Sequence, residues 1–342
     1  MSASWKQVLY EYVRYANQRD MEYQMDGASS FVKDEAFLDF QRRRLSRIRD
    51  WHEERGTKPL EHETKLKLLG VKERETSVIA EIEMACKQQY RTAGQTQTAF
   101  MKERERVTLA SRNGILWYIE RVEPIIQERA QAAKASVSQR IPSSHDSLSA
   151  KPPKIGSTPL LNRAAVPGGA SEVRKTRYNR EAAVHYADTH WDNPSPDYIH
   201  FDVDCTNYVS QCLFAGSAPM NYTGRRESGW WYKGGRPGSE QWSFSWSVAH
   251  SLRWYLATSS THLRAEEVQE PQQLKLGDVI VYDFDGDDQF QHSTIVTAFD
   301  GNGMPLVNAH TSNSRHRYWD YKDSYAWSDT IRYKFFHILD DF

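Results

Sequence analysis

The sequence predicts an α+β protein with two globular domains joined by a flexible linker. Residues 136–170 contain no aromatic residue and five of the chain's 13 prolines. Such a segment cannot bury enough apolar surface to offset the entropy lost on ordering. On each side of it, segments of helical periodicity come first and segments of alternating polar and apolar residues follow, an order typical of helices on an antiparallel sheet. We therefore expect a domain at 1–135, a linker at 136–172 and a second domain at 173–342.

The N-terminal domain begins with helices and continues with strands. Apolar residues recur at three- and four-residue spacing in "FLDFQRRRLSRIRDW", which predicts a helix that ends near Gly56, with its arginines on a solvated face. In "SVIAEIEMACK" the alternation predicts a half-buried strand with Cys86 in its apolar row. "KLKLLGV" and "RERVTLASRNGILWYIERV" continue the pattern, and Asn113-Gly114 is a strong hairpin signal. The domain resembles NTF2-like and cystatin-like modules, and we expect an accessory role with an unknown partner.

The C-terminal part repeats this order. "YNREAAVHYADTHW" carries a helical apolar stripe, and residues 246–256 predict another helix. Strand signals close the chain in "GDVIVYDF", "HSTIVTAFD", "MPLVNAH" and "DTIRYKFFHIL".

Composition and charge argue against several classes of protein. The chain has 44 Lys and Arg against 45 Asp and Glu, so no basic excess points to nucleic acid. Lys6, Glu11 and Arg14 interrupt the only apolar stretch at the N-terminus, so we predict no signal peptide, and no window predicts a membrane span. A cytoplasmic protein is expected, with export by another route left open. Three cysteines argue against a disulfide scaffold.

No metal or organic cofactor is expected. "DFDGDD" resembles the start of a calcium loop, but Asp288 stands where such a loop needs glycine, and Thr294 stands where it needs glutamate. Cys205 and Cys212 lie seven residues apart, and no second pair of ligands completes a zinc site.

The segment "FDVDCTNYVSQCLFAG" carries the candidate nucleophile. If Asp204 caps a helix, Cys205 stands at its first position, where the partial positive charge of the helix end favours a thiolate. The Asp204 carboxylate opposes this effect, so an activated cysteine also needs a nearby imidazole. Cys212 falls on the buried stripe of the helix and is expected to be inert. On spacing alone, a small core residue is an equal alternative for Cys205.

Two later segments contain candidate residues that could activate Cys205. His292 opens an apolar strand directly after a loop, so its ring can project from the sheet edge toward a cleft. In the next strand, Asn308 and His310 share one face, and either could hold the His292 ring in its productive tautomer. This interpretation requires that Cys205 and His292 meet in an open groove.

The combination of "DCTNYVSQCLFAG", "GDVIVYDF", "HSTIV" and "NAHT" resembles the bacterial amidase domain family of papain-like fold. It is similar, more distantly, to the NlpC-type and CHAP-type peptidoglycan hydrolases. The resemblance spans about residues 177–342 and implies Cys205 as nucleophile and His292 as general base. It implies a third catalytic residue, for which we slightly favour His310 over Asn308. The glutamine that papain-type enzymes carry before the cysteine has no match in "DYIHFDVD".

The predicted function is cysteine-dependent hydrolysis of a peptide amide, with a cell-wall (peptidoglycan) peptide as one candidate substrate. A non-catalytic peptide- or glycan-binding module and an amine acyl-transferase are the alternatives. Between nucleophile and base the chain is rich in tryptophan, and these rings either line the substrate cleft or pack in the core. The candidates are Trp230, Trp231, Trp242 and Trp246.

Overall fold

The computed structural model describes residues 4–112, 116–129, 176–234 and 240–342. The predicted linker and the Asn113-Gly114 turn lie outside these residues. The helices are α1 (Trp5–Glu22), α2 (Glu35–Glu54), α3 (Arg180–His190), α4 (Cys205–Ala215), α5 (Phe244–Ser247) and α6 (Ala249–Thr258), with 3₁₀ turns at Ala28–Ser30 and Pro271–Gln273. The strands are β1 (Thr57–Glu73), β2 (Ser77–Thr92), β3 (Gln95–Arg112), β4 (Leu116–Pro124), β5 (Tyr232–Lys233), β6 (Gln241–Trp242), β7 (Ala265–Val268), β8 (Val279–Asp283), β9 (His292–Phe299), β10 (Pro305–Ala309), β11 (Ser314–Tyr318) and β12 (Arg332–Ile338).

The residues group into two compact units. The first comprises Met1–Gln127 and Thr297–Asp329, and the second comprises Glu128–Val296 and Thr330–Phe342. The sequence prediction places Thr297–Asp329 in the C-terminal domain, whereas these residues group with N-terminal residues in the first unit. The predicted domain boundaries stay a prediction.

The first unit is built on a large antiparallel sheet that joins strands from both parts of the chain. Its strand order is β1-β2-β3-β11-β10, and β4 pairs with the far end of β3. One face packs against α1 and the start of α2, which confirms the predicted α+β class. Cys86 lies in this core as predicted, and burial raises the pKa of its thiol. The sequence prediction missed β11, because "SRHRY" carries no apolar alternation.

Helix α2 confirms the predicted amphipathic helix, and three of its five arginines, Arg42, Arg43 and Arg49, are exposed as predicted. The other two are not. The Asp34 carboxylate accepts the Phe37 N–H at 3.0 Å and so begins the helix. Arg44 is only 4 % exposed and donates to the Asp323 carbonyl at 2.9 Å, while Arg47 donates to the Lys322 carbonyl at 2.9 Å. These side chains therefore bind the backbone of the 322–323 segment instead of facing solvent.

A buried carboxyl lies between the helices and the sheet of the first unit. Glu105 is 0 % exposed and accepts hydrogen bonds from the Tyr12 hydroxyl at 2.8 Å and the Tyr325 hydroxyl at 3.1 Å. Gln41 donates in turn to the Tyr325 hydroxyl. Burial raises the pKa of Glu105 to about 7.

This pKa predicts a pH dependence of stability. Because the folded pKa of Glu105 lies above the ordinary value of 4.5, its contribution to stability is fully present below that ordinary value and is lost as pH rises through about 7. We expect Glu105→Gln to remove about 3 kcal/mol of the change in unfolding free energy between acid and mildly alkaline pH. Denaturant unfolding of both proteins across that range measures the difference.

The matched control is Glu81→Gln, which changes an exposed glutamate on β2 and should leave the pH profile as it is in the wild type. Profiles of equal slope for Glu105→Gln and wild type would show that the Glu105 carboxyl is not neutral in the folded state at mildly acid pH.

The second unit has its own antiparallel strands in the order β9-β8-β12-β7. Helix α4 is buried from Cys205 to Leu213 and lies at the centre of the core, with α3 and α6 among its neighbours. A helix that is buried on every side has no face in contact with water. Its polar side chains must therefore form hydrogen bonds within the protein. The predicted helix at 246–256 is interrupted at Val248, where α5 gives way to α6.

The aspartate of the "GD" pair before β8, Asp278, connects several elements of the second unit. Asp278 is 0 % exposed, and its carboxylate accepts from the Lys275 N–H at 2.7 Å, the Ile338 N–H at 3.0 Å and the Arg180 guanidinium at 2.7 Å. Its Oδ2 also lies 2.8 Å from Nδ1 of His337. One carboxylate thus links α3, the turn before β8 and the end of β12. These hydrogen bonds explain the "GD" motif by a structural role of its aspartate, without a catalytic one.

Among the described residues, no helix has both the length and the apolar character needed to cross a membrane.

Candidate active site

Helix α4 begins at Cys205, as the sequence predicts, with Asp204 at the N-cap position. The Asp204 carboxylate does not accept a backbone N–H of the first turn, which is the capping bond that the sequence predicts. Its Oδ1 accepts the Phe201 N–H at 3.0 Å and the Asn207 side-chain amide at 2.8 Å. The carboxylate therefore fixes the loop that leads into the cysteine.

A histidine accompanies this carboxylate. Nδ1 of His200 lies 3.4 Å from Oδ2 of Asp204, and the hydrogen bond raises the pKa of the imidazole. Because the His200 ring is about half exposed, a cation at this position stays hydrated while it offsets the buried charge next to Cys205. When His200 is protonated, its charge reduces the opposition between Asp204 and a thiolate at residue 205.

The start of α4 contacts the start of β9. The Cys205 Sγ lies 3.9 Å from the Gln291 carbonyl oxygen, and the Thr206 hydroxyl lies 3.1 Å from the Ser293 hydroxyl. Gln291 and Ser293 are the residues directly before and after His292. The nucleophile candidate and the base candidate therefore lie on adjoining ends of a helix and a strand.

His292 is the first residue of β9 and pairs with Tyr282 of β8. Its ring centroid lies 5.6 Å from that of Tyr282 and 6.0 Å from that of Phe284, so aromatic rings pack around the imidazole. Gln291 fixes the approach to the strand, since its Oε1 accepts the Phe284 N–H at 2.8 Å and its Nε2 donates to Asp285 at 3.1 Å.

The acidic loop before His292 is held by its first aspartate. Asp283 is 0 % exposed, and its carboxylate accepts the N–H groups of Asp285, Gly286 and Asp288 at 2.7–3.2 Å. Gly286 has φ of +73°, and a Cβ there would meet the Thr330 carbonyl, so only glycine suits this turn. This backbone cradle gives Asp283, the first aspartate of the sequence that resembles a calcium loop, a structural role.

The prediction of an open groove is wrong for this conformation. Cys205 and His292 are both 0 % exposed. The sequence pattern gives the order of the elements but carries no information on which side chains cover the thiol.

The candidates for the third residue lie in the first unit. Asn308 stands in β10 and is buried, and His310 follows that strand and is 1 % exposed. The Asn308 Oδ1 already accepts the Thr297 hydroxyl at 2.7 Å and the His316 N–H at 2.8 Å. A carbonyl oxygen has two lone pairs, so this oxygen is occupied.

Three of the four tryptophans are core residues of the second unit. Trp230, Trp231 and Trp246 are at most 1 % exposed, and their indole N–H groups bond internally, that of Trp246 to Asn207 at 2.8 Å. Trp242 is only half-buried and packs edge-to-face on Phe201, which lies in the loop before Cys205. Substrate contact by any of the four rings stays a prediction.

Two residues near the site were not among the predicted site residues. His200 stands four positions before Asp204, and this spacing is its only sequence signal. Gln291 precedes His292 directly, but nothing in the sequence reveals that its side chain reaches back to β8. Both bonds depend on loop geometry.

Comparison with known proteins finds similarity in the part of the chain that contains the candidate site residues. A model of the family described as "Putative amidase domain" matches residues 177–336, a range that includes Cys205, His292, Asn308 and His310. The chain is similar to the uncharacterized protein YhbB of Bacillus subtilis (strain 168), with 51 % identity over 168 residues, covering 49 % of this chain and 52 % of YhbB. It is also similar to the uncharacterized protein YjcM of the same organism, with 29 % identity over 145 residues, covering 40 % of this chain and 31 % of YjcM. No solved structure matches.

The chain thus spans about half the length of YhbB and less than a third of YjcM. The family match assigns the described domain to residues 177–336, slightly less than half of the chain.

Proposed function

We propose that the protein is a cysteine-dependent amide hydrolase in which Cys205 is the nucleophile and His292 the general base. One observation carries the proposal: the sulfur of a cysteine at a helix N-terminus lies 3.9 Å from the carbonyl of the residue before a strand-opening histidine. This brings the two side-chain types that such chemistry needs to adjoining positions.

The reaction proceeds by acyl transfer. His292 takes the Cys205 proton, and the thiolate attacks the substrate carbonyl to form a tetrahedral intermediate. The intermediate collapses as the C–N bond breaks and the imidazolium gives its proton to the leaving amine, which leaves a thioester. A water molecule then loses its proton to His292, attacks the thioester and releases the carboxylate product and the thiol.

The chain's own backbone supplies stabilisation for the oxyanion. The first N–H groups of a helix have no intrahelical acceptor, so the first turn of α4 offers donors next to the attacking sulfur. For the third catalytic position, the occupied oxygen of Asn308 favours His310, in agreement with the sequence preference. His310→Ala should lower kcat with little change in KM.

Access to the thiol requires an opening, because neither Cys205 nor His292 is exposed. A peptide amide fits the proposed chemistry, and a cell-wall peptide is the candidate class of substrate. The ring of Trp242, beside the loop before Cys205, is placed to contact such a substrate.

The test is detection of the acyl-enzyme. The full chain is incubated with peptide amides and with peptidoglycan fragments, quenched in acid and weighed by intact mass spectrometry. We expect a substrate-dependent mass increase that maps to the peptide containing Cys205, together with release of a free amine. An added primary amine should remain mostly unacylated, whereas its preferential acylation would identify an acyl-transferase.

The complete burial of Cys205 favours a second candidate, a peptide- or glycan-binding module that keeps the fold without turnover. This candidate predicts that substrates bind without release of amine and that iodoacetamide leaves Cys205 unmodified with or without them. Alkylation of Cys205 that a bound peptide suppresses would favour the hydrolase.

Substrate contact by Trp242 has its own test. We expect Trp242→Ala to raise KM several-fold, with kcat within about twofold of wild type, because a stacking surface is lost and the reacting groups stay in place. Steady-state kinetics measure the effect. The matched control is Trp254→Ala, which removes an exposed tryptophan ring from α6 of the second unit. Equal KM values in both variants would remove Trp242 from the substrate site.

A further inference from the structure

Strand β1 forms an edge of the sheet in the first unit. It is 17 residues long and pairs with β2 on one side. Among the described residues, no strand pairs with its other side. Long, exposed edges invite pairing with another chain, because a row of backbone N–H and C=O groups is left without partners.

The edge also exposes apolar side chains. Leu66, Leu68 and Val71 are 36–42 % exposed. They pair with Met84, Ile82 and Ala80 of β2, which are buried in the core. The apolar face of the sheet therefore continues past the core onto β1, and a soluble chain rarely leaves such a row uncovered.

The charges of β1 are ordered along the strand. Lys58 lies before the first bulge, and within the stretch of regular register between the two bulges Glu61 and Glu63 come before Lys65 and Lys67. These last four side chains project from the same face, because their positions are two residues apart. Two copies of β1 that run antiparallel to each other therefore have complementary charges.

We propose that β1 is a homodimer interface in which two copies of the chain pair antiparallel about a twofold axis at Thr64. In this register Glu61 of one copy lies opposite Lys67 of the other, and Glu63 lies opposite Lys65, so the symmetric dimer has four ion pairs. A shift of the axis by one residue places Glu63 or Lys65 opposite its own copy. Charge thus selects the register.

The same register also brings apolar residues together. Leu68 of one copy comes to the position across from Leu60, in the first bulge of the other copy, and both are about 40 % exposed in the single chain. Pairing covers these side chains and satisfies the edge backbone groups, so the interface has an apolar part and a polar part. The inference stands apart from the amidase chemistry, since β1 belongs to the first unit.

The test is the oligomeric state of the full chain by light scattering at several concentrations. We expect a concentration-dependent dimer in wild type and at least a tenfold higher dissociation constant in Lys65→Glu/Lys67→Glu. The matched control is Lys72→Glu, on the same strand, because its partner position in this register falls before β1 begins. A wild-type monomer at every concentration, or a dimer that the double variant leaves unchanged, overturns the proposal.

A second double variant, with the opposite charge change, distinguishes loss of strand pairing from misfolding of the variant. Glu61→Lys/Glu63→Lys should also dissociate, but an equimolar mixture with Lys65→Glu/Lys67→Glu should form heterodimers, detected by native mass spectrometry. Recovery in the mixture shows that both variants are folded and that the two charge clusters face each other. Absence of heterodimer from two variants with wild-type circular dichroism contradicts this register.

Discussion

Replacement of Cys205 by alanine is expected to lower kcat for amide hydrolysis by about a thousandfold or more, because no thioester can form without the sulfur. The folded structure should survive, since the contacts of the thiol with the Thr206 hydroxyl at 3.7 Å and with the Gln291 carbonyl at 3.9 Å are long. Loss of such contacts costs about 1 kcal/mol or less in the free energy of unfolding. Steady-state kinetics on the most rapidly cleaved amide measure the effect.

Cys212→Ala is the matched control. This second cysteine lies on the same helix, is equally buried and belongs to the core, where burial raises the pKa of its thiol well above the ordinary value. Its replacement should cost some stability by creating a small cavity and should leave kcat within about threefold of wild type. If Cys205→Ala and Cys212→Ala hydrolyse the substrate at the same rate, the nucleophile is another group.

His292→Ala should follow Cys205→Ala in direction but to a smaller extent. Removal of a general base costs about a hundred- to ten-thousandfold in kcat, and its ring is packed by Tyr282 and Phe284, so some loss of stability is also expected.

The sequence predicted the elements better than their assembly. Local patterns sufficed for α2, β2, β8 and the start of α4 at Cys205, because periodicity and capping residues act within a few positions. They could not predict that "SRHRY" pairs with β3, since this strand is specified by a partner about 200 residues away in the chain. Pairing between distant segments leaves little trace in the local composition of either.

The same limit applies to the site. Residue types and their order were enough to select Cys205 and His292 as candidates. They were not enough to show that the Asp204 carboxylate turns toward Phe201 and Asn207, or that the thiol is covered. Both facts depend on how loops pack. The tryptophans illustrate the point again, because a ring in a core and a ring in a cleft have the same sequence signature.

The largest effect on stability is expected from Asp278→Ala. The variant leaves the Arg180 guanidinium, which is only 16 % exposed, without its buried carboxylate partner. It also removes the acceptor for the N–H groups of Lys275 and Ile338. Loss of one member of a buried ion pair costs about 3–5 kcal/mol, because the remaining charge is desolvated without compensation. Denaturant unfolding, with hydrogen exchange of the β8 and β12 amides, measures the loss in the second unit.

Asp340→Ala provides the contrast, because it removes the other carboxylate that Arg180 contacts. Asp340 is 47 % exposed, so its ion pair is screened by water and its loss should cost about 1 kcal/mol or less. The difference between the two variants isolates burial, since both lose one acidic partner of the same arginine. An Asp278→Ala protein that is as stable as wild type but inactive would contradict the structural explanation of the "GD" pair and assign this carboxylate to the reaction.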